Sequence, residues 1–284
     1  LYKDRIHVLS KENDSRAEAE AVAEASDVIV ACMGLDATIE GEEGDAGNEF
    51  ASGDKPDLRV PESQRHLIET VKRAGKPVIC IVAAGSAINT ETEFDALIHA
   101  WYSGSEGGRA LADIIFGAVS PSGKLPVTFY ESADKLPDFT DYSMKGRTYR
   151  YIKDNENVLY PFGFGLTYSK VEVTSLDYDN GKERIGFKNI GSRDTEDVIE
   201  LYIKAEDDRA AENYHLCGFT RACTKAGESG ETEIVIPEKA FTFVTPEGKR
   251  VKGERFTLYA STHQPDALSC KLNQTEFLSA EVQI

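Results

Sequence analysis

Residues 27–33 read DVIVACM and residues 78–83 read VICIVA. Each is an unbroken β-branched and apolar run, too short for a helix of ordinary length. A run without alternation predicts a strand buried on both faces, as in a parallel sheet flanked by helices. Helical patterns lie beside both runs. Residues 13–25 repeat Ala, Glu and Val at helical spacing, with Asp14 or Ser15 as N-cap. Residues 61–74 open on Pro61 and place Leu67, Ile68 and Val71 on one side, with Gly75 at the end. A third strand is expected in ALIHAW, within residues 94–101, and a helix over residues 109–116. A short strand is also expected around Ile6-His7-Val8-Leu9. Helices alternating with strands predict a layered α/β domain with a mainly parallel sheet.

Between the first strand and Pro61 runs GLDATIEGEEGDAGNEFASGDKPDLRV, residues 34–60. It has no apolar periodicity, and loops of this length in a compact domain are uncommon and tend to be functional or disordered. It carries Glu40, Glu42, Glu43, Asp45, Glu49 and Asp54. Composition alone favours a solvated acidic loop. A reacting carboxylate, if the chain has one, is expected here.

Residues 131–168 hold Phe139, Tyr142, Tyr149, Tyr151, Tyr160, Phe162, Phe164 and Tyr168. That is too apolar for a free linker, and the stretch is expected to pack across two domains. From Val171 the pattern turns to period two: VEVTSLDYD, ERIGFKNIG, EDVIELYIKAED, CGFTRACTKAG, ETEIVIPE, FTFVTPEG and ERFTLYAST. Seven short strands in about a hundred residues predict an antiparallel sandwich of immunoglobulin or fibronectin type. The expected domains are an α/β domain over 1–130, an aromatic-rich connection over 131–169, and an all-β sandwich over 170–284.

The chain of 284 residues is 40% hydrophobic and 29% charged, enough for a sizeable core, and its net charge is −17. That charge argues against nucleic acid or an anionic membrane as partner, since both need a basic face. No apolar run has the length of a membrane-spanning helix. The five cysteines, Cys32, Cys80, Cys217, Cys223 and Cys270, show no CxxC spacing. Cys32 and Cys80 lie in apolar strands and read as small hydrophobes. This pattern favours a reducing, cytoplasmic compartment over a disulfide framework. Asn273-Gln274-Thr275 fits the glycosylation pattern, a match short enough to arise by chance.

The turn GSEGG at 104–108 precedes a helix but lacks both nucleotide-binding glycine spacings. It reads as a helix entry chosen for backbone geometry. None of His7, His66, His99, His215 and His263 stands at metal-ligand spacing from another His or Cys. No GxSxG occurs. No metal and no cofactor is therefore expected. Carboxylate chemistry remains. Glycoside hydrolysis needs two carboxylates, one to protonate the leaving oxygen and one as nucleophile or base. Glu42 and Glu43 are adjacent, so their side chains diverge and cannot be that pair. A like-charged neighbour would raise the pKa of the more buried one, which suits a general acid.

The passage WYSGSEGGRALADIIFGAVSPSGKLPVTF, from Trp101 on, resembles a signature of family 3 glycoside hydrolases, the β-glucosidase and β-xylosidase family. DYSMKGRTYRY at 141–151 and YPFGFGLTYS at 160–169 resemble the stretch that leads from that family's α/β sandwich domain into its fibronectin-like domain. CGFTRACTKAGESGETEIVI at 217–236 resembles a strand–turn–strand of that last domain. The resemblance implies that the acidic loop carries the acid/base glutamate. Glu43-Gly44 opens the loop in the family's manner and Gly53-Asp54-Lys55-Pro56-Asp57-Leu58 closes it, which carries the role onto Glu43. The shorter xylosidase form also matches Thr38-Ile39-Glu40-Gly41, so the order is Glu43, then Glu42, then Glu40. Lys55 stands where the family usually has Arg.

The family's nucleophile is an aspartate on an N-terminal (β/α)8 barrel, which needs about 250 residues and has no counterpart here. The resemblance further implies that the first strand of the α/β domain is missing, so the chain reads as a C-terminal fragment or separate subunit. The expected function is the acid/base-bearing portion of a retaining exo-β-glycosidase acting on terminal β-linked glucose or xylose, inactive without the barrel. The expected partners are a β-linked glycoside and the barrel, with a homodimer allowed. A non-catalytic sugar-binding or interaction module is the alternative.

Overall fold

The computed structural model describes residues 12–36, 55 and 57–284. The expected strand around Ile6 lies outside them. The chain divides into two compact units, residues 1–111 and 112–284.

In the first unit, α1 (Glu12–Glu24) precedes β1 (Ile29–Gly34). After α2 (Glu62–Lys72) come β2 (Val78–Ala83), β3 (Ala96–His99) and α3 (Gly107–Ile115), in which residue 111 falls. The three strands form a parallel sheet in the order β1-β2-β3. Ala31 pairs with Cys80 and Met33 with Val82. Cys80 in turn pairs with Leu97, and Val82 with His99. Ala31, Met33, Val78, Cys80 and Val82 form the core with Ile68 of α2, Leu35, Val60, Ala84 and Ile88. Ile68 is 1% exposed, and burying such a side chain contributes about 1.5–3 kcal/mol.

Two expectations fail here. Asp14 and Ser15 lie inside α1, which starts at Glu12, so neither is the N-cap. The run at 27–33 is not buried on both faces. Val28 and Val30 are about half exposed and Cys32 is exposed, whereas Ala31 and Met33 are buried. Among the described residues β1 borders only β2, and the core with α2 covers only the face that Ala31 and Met33 share. Alternation in burial therefore coexists with an unalternating sequence.

The second unit begins with a short two-stranded sheet, β4 (Phe129–Tyr130) with β5 (Val158–Tyr160). The one-turn helix α4 (Thr148–Tyr151) lies between them. Two larger antiparallel sheets follow. One is ordered β10-β7-β6, from Ser229–Val235, Lys182–Asn189 and Val171–Asp179. The other is ordered β14-β13-β8-β9, from Leu278–Gln283, Arg255–Ser261, Thr195–Ala205 and His215–Thr224. Both sheets contribute to one core. Val171, Val173, Ile185, Phe187 and Ile234 come from the first, and Ile199, Leu201, Ile203, Ala222, Phe256, Leu258 and Val282 from the second. The hairpin β11 (Thr242–Val244) with β12 (Arg250–Lys252) completes the strands.

All seven expected strands are present. β12, β14 and the helix α5 (Ala267–Asn273) are additions. Asp266 caps α5, accepting from the backbone N–H of Leu268 and Ser269. The aromatics of the connection pack within this unit: Tyr149 stacks on Phe162 at 4.4 Å, and Tyr202 of β8 meets both edge-on. Phe139 and Tyr142 are exceptions, 92% and 90% exposed on a loop where Arg147 donates to the carbonyls of Asp138, Asp141 and Ser143.

Candidate active site

Glu40, Glu42 and Glu43 lie in residues 37–54, outside the described residues. The two ends of that loop are described, and both are fixed at the carboxyl edge of the parallel sheet. In α/β sheets this edge is where ligands bind.

The outgoing end is Gly34, the last residue of β1, at φ +150°. A Cβ here would lie 2.0 Å from the carbonyl oxygen of Ala83. Both the angle and the close approach require glycine. The Gln64 side chain, 30 residues on, then pairs with both backbone groups of Gly34. Its Oε1 accepts from the Gly34 N–H at 3.0 Å, and its Nε2 donates to the Gly34 carbonyl at 2.6 Å. Leu35 N–H donates to the Ala83 carbonyl at 2.8 Å. The glutamine thus satisfies strand groups that β2 does not reach.

The returning end is held by charge. Lys55 Nζ donates to Asp57 Oδ1 at 2.8 Å and to the Arg59 carbonyl. Arg59 donates to Asp57 through its backbone N–H at 2.9 Å and through Nε at 3.0 Å. Burial pushes the Asp57 carboxyl up, but the hydrogen bonds from Lys55 and Arg59 and the Lys55 charge together hold it down at about 2. Lys55 therefore ties this end of the loop to Asp57 and Arg59. The segment then pairs with the stretch after β2: Asn89 N–H donates to the Leu58 carbonyl at 2.7 Å, and Arg59 bridges Asn89 in parallel. Arg65 of α2 lies 3.5 Å from Glu91 on the same stretch.

At the end of β3, His99 Nε2 meets the Ser86 carbonyl at 3.0 Å. This contact ties the end of β3 to the loop after β2. Burial lowers the His99 pKa, and the Ser86 carbonyl opposes that. The other described histidines have local roles. His66 contacts Arg16 and Glu62, and the fully buried His263 lies between the Gln264 and Thr275 carbonyls. His215 is pushed down to about 4, first by burial and then by Arg150 and Arg250. Among the described residues no three His, Cys, Asp or Glu side chains could together hold a metal. None of the five cysteines is in a disulfide.

Sequence reasoning missed the buried acids of the sandwich, Asp197 beside Lys124 and two more. Glu200 accepts from the Tyr202 hydroxyl at 2.6 Å, and Glu183 has no partner for either oxygen. Burial raises both to about 7. Both are enclosed, so neither can reach a substrate. Of these two, position in the strand signals only Glu183, which falls on the core-facing parity of β7 with Ile185 and Phe187, whereas Glu200 shares with Tyr202 the face of β8 opposite Ile199, Leu201 and Ile203.

These features define a class, an α/β unit with a long acidic loop rooted at its carboxyl edge, followed in sequence by an antiparallel β-sandwich. Residues 3–168 match the glycosyl hydrolase family 3 C-terminal domain. A xylan 1,4-beta-xylosidase of Xylanibacter ruminicola is 36% identical over 95% of this chain and 32% of its own length. A periplasmic beta-glucosidase of Salmonella typhimurium is 30% identical over 86% of this chain and 34% of its own length. Among solved structures, a β-glucosidase of Erythrobacter marinus has a TM-score of 0.78 at 27% identity, covering 94% of this chain and 36% of that one. A family 3 β-glucosidase of Bifidobacterium adolescentis has a TM-score of 0.79 at 24% identity, over 98% and 42%, a likeness of fold. The chain belongs to glycosyl hydrolase family 3 and carries its C-terminal domain. It spans about a third of the length of the curated relatives it matches.

Proposed function

We propose that this chain is the acid/base-bearing portion of a retaining exo-β-glycosidase that removes terminal β-linked glucose or xylose from oligosaccharides or glycosides. The observation that carries it is the family match over residues 3–168, which spans the acidic loop. Relatives called a β-xylosidase and a β-glucosidase support the choice of sugars. The nucleophile comes from a (β/α)8 barrel, on the same chain or a separate one, and this portion is inactive alone. The sandwich is fibronectin type III-like, a reading supported by its three- and four-stranded antiparallel sheets.

Glu43 has the acid/base role, with Glu42 and then Glu40 behind it. In the first step the barrel aspartate bonds to the anomeric carbon while the glycosidic C–O bond breaks. The departing oxygen takes the Glu43 proton. In the second step the Glu43 carboxylate removes a proton from water, the water oxygen bonds to the anomeric carbon, and the aspartate leaves.

The test is Glu43→Gln in an assembly containing the barrel. The expected loss is about 10²–10⁴-fold on a substrate with a poor leaving group and much less on an activated aryl glycoside. Glu42→Gln should stay near the parent rate. Equal losses in the two variants, or none in Glu43→Gln, would remove Glu43 from the role. The second reading is a non-catalytic sugar-binding or interaction module. An assembly that binds oligosaccharide without hydrolysing any aryl glycoside would select it.

A further inference from the structure

Beyond β3 the chain turns through Trp101, the only tryptophan in the sequence. Trp101 adopts φ +52°, a left-handed conformation that bulky residues rarely take. Holding one there costs on the order of 1 kcal/mol or more and persists only where the surroundings enforce it. Glycine would take this angle freely, yet the sequence places its largest aromatic here.

The enforcing contacts come from His99. The Trp101 N–H donates to His99 Nδ1 at 3.4 Å, and the two rings lie 4.3 Å apart between centroids. His99 Nε2 faces the Ser86 carbonyl, which can only accept, so Nε2 carries the proton and Nδ1 is left to accept. The Ala100 N–H donates to the Val82 carbonyl at 2.8 Å, which fixes the start of the turn. Tyr102 follows, 56% exposed, and Gly104 at φ +67° leads into α3.

This turn lies on the same sheet edge as the roots of the acidic loop. β1 and β3 flank β2 in one parallel sheet. Neighbouring strands are about 4.8 Å apart, which sets the turn about 10 Å from the loop's outgoing root. A β-linked disaccharide bridges such a distance. Pyranose rings present an apolar C–H face that packs on aromatic rings, and a neutral sugar is not repelled by a chain of net charge −17.

We propose that Trp101 and Tyr102 form an aromatic platform for the leaving-group sugar, and so set the enzyme's preference for oligosaccharides over simple glycosides. This rests on the glycosidase reading above. Backbone strain at Trp101 is the cost of holding its ring against His99 at the edge of the sheet.

The test compares a β-linked disaccharide with the corresponding glycosyl fluoride, whose leaving group is too small to touch the platform. It uses the chain assembled with its barrel. Trp101→Gly keeps the left-handed turn, and Tyr102→Ala removes the second ring. Each should lower kcat/KM for the disaccharide about tenfold, mainly through KM. Each should leave the fluoride within about twofold, and Tyr102→Phe should restore the disaccharide rate. Trp101→Gly should melt no lower than the parent, because it relieves strain as it removes the ring. Equal losses on both substrates would make the residues structural and overturn the proposal, as would no loss on either. Should the parent assembly hydrolyse neither substrate, the glycosidase reading fails, and Trp101 fluorescence of the chain decides the platform. A saturable change on titration with xylobiose or cellobiose supports it, and a flat titration overturns it.

Discussion

Replacing Glu183 should stabilise the β-sandwich, and by more at pH 8 than at pH 5.5. Glu183 is on β7, 0% exposed, opposite Tyr178 of β6 and Ile234 of β10, with Ile185 next on the same face. Neither carboxylate oxygen has a hydrogen-bond partner. Burial first, and the Asp177 charge second, raise its pKa from 4.5 to about 7. An acid with a raised folded pKa keeps its proton in the native state after the unfolded chain has lost it. The native state then binds more protons, so stability falls as pH rises from 4.5 to 7 and is flat above. At 1.36 kcal/mol per unit, the fall is about 3 kcal/mol.

The sequence pI is about 4.8, so thermal unfolding is best followed by circular dichroism at pH 5.5 and 8, away from isoelectric precipitation. About 2 kcal/mol of the fall lies between those two points. Glu183→Gln removes the charge and keeps the shape. Its gain over the parent should be about 1 kcal/mol at pH 5.5 and about 3 kcal/mol at pH 8, the latter roughly 6–12 °C in Tm. Glu183→Met also removes the unpartnered polar atoms and should exceed Glu183→Gln at both pH values. Glu200 is raised to about 7 as well, so both variants should retain some loss of stability with pH. A gain that is the same at pH 5.5 and 8, or a Glu183→Gln chain less stable than the parent at pH 8, would refute the reasoning.

Gly163→Ala should destabilise the same unit by about 2 kcal/mol or more, because φ is +77° and the new Cβ would fall 2.4 Å from Glu200 Oε2 and 2.7 Å from the Tyr202 hydroxyl; denaturant unfolding measures it. Lys124→Met should cost about 3–5 kcal/mol by leaving the buried Asp197 without the ammonium 2.9 Å away. The double variant Lys124→Met with Asp197→Leu should recover most of that loss, and a double variant as unstable as the single would contradict the account.

The sandwich was legible because its strands alternate. Ile199, Leu201 and Ile203 fall on one parity of β8, and Ile185 and Phe187 on one parity of β7. The β7 parity places Glu183 inside, where a reading by residue type expects a solvent-facing position, whereas Glu200 lies on the opposite face of β8 with Tyr202, and there Gly163 and the aromatics of the connection cover it. β14 was not legible, because LSAEVQ carries only Leu278 and Val282 as large apolar residues and gains its place by pairing with β13. The run at 27–33 misled in the opposite direction. Unbroken apolar sequence predicts two covered faces, but coverage belongs to the neighbours a strand has, and those leave Val28 and Val30 about half exposed.

The site was legible at its punctuation and not at its clamps. Gly34 and Pro61 mark the loop's limits by backbone geometry that any reader of sequence can apply. Gln64 carries no such mark. A glutamine in the first turn of a helix reads as a local cap, whereas here it bonds both backbone groups of a residue 30 positions earlier. Asp57 likewise reads as one more acid in an acidic loop, yet its oxygens collect Lys55 and Arg59. The Gln64 clamp acts across the gap between the loop's ends, so it exists only once β1 and α2 have assembled, whereas the Asp57 clamp is local to residues 55–59. A loop whose acidic tip is set by composition and whose roots are set by tertiary contacts shows the sequence reader its chemistry but not its aim.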